Sequence, residues 1–105
     1  MADACGARES LLARTVQAQG LVREGHATEA LELIEETLAD ARETSLVEML
    51  SDALRVQAEA LAALGRSKDA ADALEEALDH YERAGVLVAL EPTRRQLEAI
   101  TDDSR

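Results

Sequence analysis

Apolar residues recur along this chain at three- and four-residue spacing. Leu31, Ile34, Leu38 and Ala41 form one such stripe, and Ala70, Leu74, Ala77, Leu78 and Tyr81 form another. Positions three, four and seven apart lie on one side of an α-helix, so each stripe predicts an amphipathic helix whose opposite face is acidic. Gly25, Gly65 and Gly85 each follow a helical run, where a left-handed residue stops a helix. Ser67 reads as an N-cap after Gly65, with Thr28 in the same role after Gly25. Ser45 and Glu48 read as a capping box, S-L-V-E. The pattern predicts five helices, at about 9–24, 28–44, 46–64, 68–84 and 87–102.

The pattern also repeats. Shifted by forty positions, Ala13, Val16, Gln17, Ala18, Leu21, Gly25 and Ala30 meet Ala53, Val56, Gln57, Ala58, Leu61, Gly65 and Ala70. The match continues through Glu35, Glu36 and Leu38 onto Glu75, Glu76 and Leu78. Each repeat holds two helices, and neither helix pair can bury its stripe alone. Stacking the pairs buries it, which is the physical logic of a solenoid.

Composition narrows the class to all-α. The chain of 105 residues has no Trp, no Phe and one Tyr, so its core is built from aliphatic and small side chains. Ala, Leu, Glu, Arg and Gln favour helices, and the β-branched and aromatic residues that sheets draw on are scarce. The formal net charge of −11 excludes nucleic acid and anionic membrane as expected partners, because phosphate contacts need clustered Lys and Arg. Cys5 is the only cysteine; it allows no internal disulfide and suits a reducing compartment. No apolar run looks like a signal peptide or reaches the roughly 20 residues that span a membrane. A cytoplasmic location is expected.

The small residues at the helix crossings resemble those of the tetratricopeptide repeat. Ala18, Gly25, Ala30, Ile34, Thr37 and Leu38 follow that family's order, and Ala58, Gly65, Ala70, Leu74, Ala77 and Leu78 repeat it. The period of forty exceeds the family's usual repeat of about 34 residues. Arg42 and Glu82 stand where its proline usually ends the second helix. The longer repeat, with the segments D-A-L-E-E-A-L-D-H-Y-E-R-A-G and T-R-R-Q-L, resembles the C-terminal helical array of actinobacterial signalling ATPases, transcription regulators and nucleotide cyclases. The resemblance implies one domain of about two and a half repeats: repeat one over 10–45, repeat two over 46–85 and a capping helix over 86–102. Pro92 leaves two arrangements for that last helix. Either the helix kinks there, or residues 86–91 form a separate turn and the helix begins at the proline, where a missing N–H is harmless.

Little in the sequence points to chemistry. His26 and His80 are not equivalent in the forty-residue register, and no Cys/His cluster has metal-ligand spacing. Gly20 and Gly25 lack the G-K-[ST] of a phosphate loop. Tyr81 reads as a wedge between repeats. No catalytic residue, metal or cofactor is expected, and the chain is not expected to be an enzyme.

The resemblance instead implies a protein–protein interaction or scaffolding module within a bacterial signalling or regulatory protein. In the family the first helix of each repeat lines a concave groove. Carried over, this puts Thr15, Gln19, Val22, Arg23, Asp52, Arg55, Val56, Glu59, Ala62 and Arg95 in the groove. Thr15, Gln19, Arg23, Arg55, Glu59 and Arg95 are the candidate binding residues, and the three arginines suit an acidic segment or a C-terminal carboxylate. On this reading the groove is the least acidic surface. Two alternatives stand beside it: a helical homodimer, with Val86, Leu87 and Val88 as an exposed apolar patch, and a domain that senses a small ligand.

Overall fold

A computed structural model describes residues 4–103, with side chains described over 6–101. The Cys5 thiol lies outside the described side chains. Five α-helices follow one another: α1 (Ala4–Arg23), α2 (Ala27–Arg42), α3 (Val47–Ala63), α4 (Ser67–Ala84) and α5 (Leu90–Asp103). A 3-10 turn, Leu87–Ala89, precedes α5. The described residues contain no strand. Connections of three to five residues join successive helices. Each helix packs on its chain neighbours, and α1 also packs on α3. The result is a slab of 48 × 31 × 18 Å.

The three glycines end their helices as expected, each with positive φ. The Gly25 N–H donates to the Val22 carbonyl (3.1 Å) and the His26 N–H to that of Leu21 (2.8 Å). The same pair of bonds recurs as Gly65 to Ala62 (3.0 Å) with Arg66 to Leu61 (2.8 Å), and as Gly85 to Glu82 (3.2 Å) with Val86 to Tyr81 (2.9 Å). This arrangement satisfies carbonyls that a helix end leaves open. Gly65 sits at φ +78°, and a Cβ there would meet nothing within 4 Å. The cost of Gly65→Ala is therefore conformational alone, about 1–2 kcal/mol. Urea denaturation is expected to read that loss, and an unchanged midpoint would contradict the left-handed turn.

The side-chain caps differ from expectation. None of His26, Arg66 or Leu46, the residues before α2, α4 and α3, makes a side-chain cap bond. The residue after Gly25 and the residue after Gly65 each start the next helix directly, since the His26 carbonyl accepts from Ala30 (2.9 Å) and that of Arg66 from Ala70 (3.0 Å). Thr28 and Ser67 thus fall inside their helices, too late to cap them. Ser45 and Glu48 form no capping box because α3 begins after Leu46, which packs against the core. Thr44 serves this turn instead: its hydroxyl donates to the Ala41 carbonyl (2.7 Å) and accepts from the Leu46 N–H (3.1 Å). Pro92 is the third residue of α5, within the first turn where N–H groups have no helical partner. A separate turn precedes it, as in the second arrangement, but α5 starts two residues before the proline.

Small side chains let the helices approach. Ala18, Ala30, Ala53, Ala58, Ala60, Ala70 and Ala77 are fully buried, as are Ile34 and Leu74. Thr15, Thr37, Ser51 and Thr93 are also buried, and each hydroxyl donates to the carbonyl four residues earlier, at 2.7, 2.8, 2.9 and 2.7 Å. No buried side-chain polar atom among the described residues lacks a partner, so these polar residues do not carry the penalty of unmet desolvation. The two acidic helices are joined directly. Arg42 of α2 grips Glu76 of α4 through two N–H groups (2.7 and 3.1 Å), and His80 adds a contact to the same carboxylate (3.1 Å). The hydrogen bond from Arg42 holds the Glu76 carboxyl below its ordinary range, and the Glu76 carboxylate raises the Arg42 guanidinium in return.

Candidate functional site

Helix α1 offers Leu12, Thr15, Val16 and Gln19, and α3 offers Asp52, Arg55, Val56 and Glu59, to one open groove of about 310 Å³. Both sets follow the i, i+3, i+4, i+7 spacing of one helix face. They are also forty-residue equivalents, position for position. The groove therefore arises because two copies of the same helix face lie side by side. Gln19 donates to Glu59 across it (3.4 Å), joining equivalent positions of the two repeats.

Polar groups behind the α3 wall are tied into the fold. The Tyr81 hydroxyl of α4 donates to the Asp52 carboxylate in a short hydrogen bond. Burial, and then this carboxylate, push the Tyr81 phenol above its ordinary value of 10.0, with Arg55 pulling weakly the other way. The Arg55 guanidinium donates through Nε to Gln96 of α5 (3.2 Å), and the Gln96 amide donates back to the Arg55 carbonyl (3.1 Å). Helices α3, α4 and α5 are thus cross-linked beneath the groove. Its open rim on α1 is apolar, with Leu12 48% and Val16 59% exposed.

Of the expected groove residues, Thr15, Gln19, Arg55 and Glu59 come together, with Asp52 and Val56 beside them. Thr15 is buried, and its hydroxyl is spent on the Leu11 carbonyl. Arg23 is exposed at the end of α1 and does not line the groove. Arg95 is not in the groove either; it points to solvent and pairs with Glu91 of its own helix (3.5 Å). Gln96, its neighbour, is the α5 residue that reaches Arg55. The three arginines are therefore not assembled. With Asp52 and Glu59 against Arg55, the lining carries one net negative charge, so the groove is mixed in charge and not a basic strip. Helices α2 and α4 hold eleven of the twenty-two acidic residues, half of the total and not most of it.

Leu12 and Val16 were absent from the expected lining, although the register that pairs them with Asp52 and Val56 signalled both. No sequence signal marks Gln96. Among the described residues, no group of three or more His, Cys, Asp or Glu side chains is placed to hold a metal ion, and no helix is long and apolar enough to cross a membrane. The arrangement offers an apolar rim and a hydrogen-bonding floor. Comparison with family models, curated proteins and solved structures gives no match to this chain.

Proposed function

We propose that this chain is a protein–protein interaction module of tetratricopeptide type, a scaffolding part of a bacterial signalling protein, and that the α1–α3 groove receives a peptide segment of its partner. The observation that carries this reading is the groove itself, in which equivalent faces of two repeats offer an apolar rim beside Arg55 and Glu59. A segment that sets an apolar side chain against Leu12 and Val16, with polar or charged groups toward Arg55 and Glu59, suits that lining. The forty-residue period and the small residues at the helix crossings support the repeat class.

Selection of displayed peptides against the whole chain tests the proposal. Peptides recovered in this way are expected to lose about tenfold or more in affinity, some 1.4 kcal/mol, when Arg55→Glu or Glu59→Arg replaces the native residue. Helical content of both variants is to be checked by circular dichroism. Peptides that bind both variants as tightly as the native chain would remove the groove from consideration.

A further inference from the structure

The forty-residue register makes α1 and α3 equivalent, yet the two helices are buried differently. Val56 is 5% exposed and Val16 is 59% exposed. Ala53 and Ala60 of α3 are fully buried, whereas Ala13 is exposed and Gly20 is half-buried. On α3 this face is buried; on α1 the same face is exposed or half-buried. The α1 face thus repeats a face that the protein buries internally on α3.

Gly20 adds a second observation. A glycine inside a helix weakens it relative to alanine, and its equivalent in α3 is Ala60. Among the described residues nothing requires a glycine there: an added Cβ would meet only the Glu24 carboxylate, at 4.0 Å. Glycine at an exposed helix face permits another side chain or backbone to approach closely.

Charge completes the pattern. Glu9 and Arg23 lie seven residues to either side of Val16, and Leu12 and Gly20 lie four to either side. Offsets of four and seven keep all of them close to one side of the helix. Glu9 and Arg23 are exposed, and neither is in an ion pair among the described residues.

We propose that this face is the contact of a homodimer, in which α1 packs antiparallel on α1 of a second copy about a two-fold axis beside Val16. This is an isologous contact, using the same patch on both copies. It sets Leu12 of one copy over Gly20 of the other, and Glu9 of one beside Arg23 of the other, twice. A parallel pairing would place Glu9 against Glu9 and Arg23 against Arg23, which like-charge repulsion disfavours. The second copy covers Leu12 and Val16 on the α1 rim of the groove, so the dimer and a peptide seated on that rim would compete, while the α3 wall stays open. The proposal does not depend on the peptide-binding reading, and Glu9 and Gly20 do not line the groove.

Sedimentation equilibrium of the full chain over a concentration series tests it. The native chain is expected to dimerise reversibly. Gly20→Leu and Glu9→Arg are each expected to weaken dimerisation at least about tenfold, while circular dichroism shows the helical fold retained. Because Gly20→Leu removes a helix-weakening residue, its monomer is expected to melt no lower than the native chain. The exchange Glu9→Arg with Arg23→Glu is expected to restore the dimer, a result that only the antiparallel pairing of these two residues produces. A native chain that stays monomeric throughout the series overturns the proposal. So does a dimer that both single variants leave intact, which would point to the exposed Leu87 and Val88 turn as the contact.

Discussion

Truncating Leu74 to alanine is expected to lower the unfolding free energy by about 2–5 kcal/mol, the range for deleting most of a fully buried aliphatic side chain. Leu74 has no exposed surface and sits on α4, which packs on α3 and on α5. Its forty-residue equivalent, Ile34, is equally buried in α2. Domains of this size hold about 5–15 kcal/mol in total, so the variant loses a large share of its stability. Urea denaturation followed by helical circular dichroism measures the loss. Leu87→Ala, at an exposed turn position, serves as the comparison and is expected to stay within about 0.5 kcal/mol of the native chain. Equal losses at the two positions would contradict the placement of the core.

The second large effect centres on Tyr81. Tyr81→Phe removes the hydroxyl that donates to Asp52, and a hydrogen bond to a charged group is worth about 1.5–3 kcal/mol. The same contact predicts a response to alkali. The folded chain holds the phenolic proton above the ordinary value of 10.0, first through burial and then through the Asp52 carboxylate. A group whose folded pKa is raised contributes stability that is fully present below its unfolded pKa and is lost as pH rises beyond it. Stability is therefore expected to fall as pH climbs past 10, more steeply for the native chain than for the Phe variant. Tyr81 is the only aromatic residue, so tyrosinate absorbance reports on this site alone. In urea the phenol is expected to titrate near its ordinary value, and in the folded chain only at higher pH. Identical titrations in the two states would show that Tyr81 is not held as described.

Both effects show how the groove is made firm. Asp52 and Arg55 occupy its α3 wall, and each is bonded from behind, by Tyr81 of α4 and Gln96 of α5. A peptide in the groove would meet side chains whose positions are already restricted, which reduces the entropy lost on binding. The α1 rim has no such support. Leu12 and Val16 rest on one helix, and the dimer contact proposed for α1 would cover them, so dimer and peptide would compete for that rim.

Much of the fold was legible in the sequence because its signals are local. The stripes on α2 and α4 and the stops at Gly25, Gly65 and Gly85 depend on residues within a turn or two of each other. Five helices and a forty-residue register follow from them. The caps were less legible. Ser67 and Ser45 have the right chemistry, but the turns are so short that the residue after Gly65, or Leu46 in the other turn, begins the helix first.

The sequence by itself determined the helices, their stops and which positions of the two repeats correspond. Tertiary structure alone decided which of those positions matter to a site. Val16 and Val56 are the same residue in the same register, yet one is open and the other buried, because among the described residues helices precede and pack on α3 but not α1. Arg95 matches Arg55 in register, yet Gln96 makes the contact. Asp52 gains a phenolic donor from a helix 29 residues away in sequence. Burial and hydrogen-bond partners depend on what packs against a helix face, and periodicity along one chain does not carry that information.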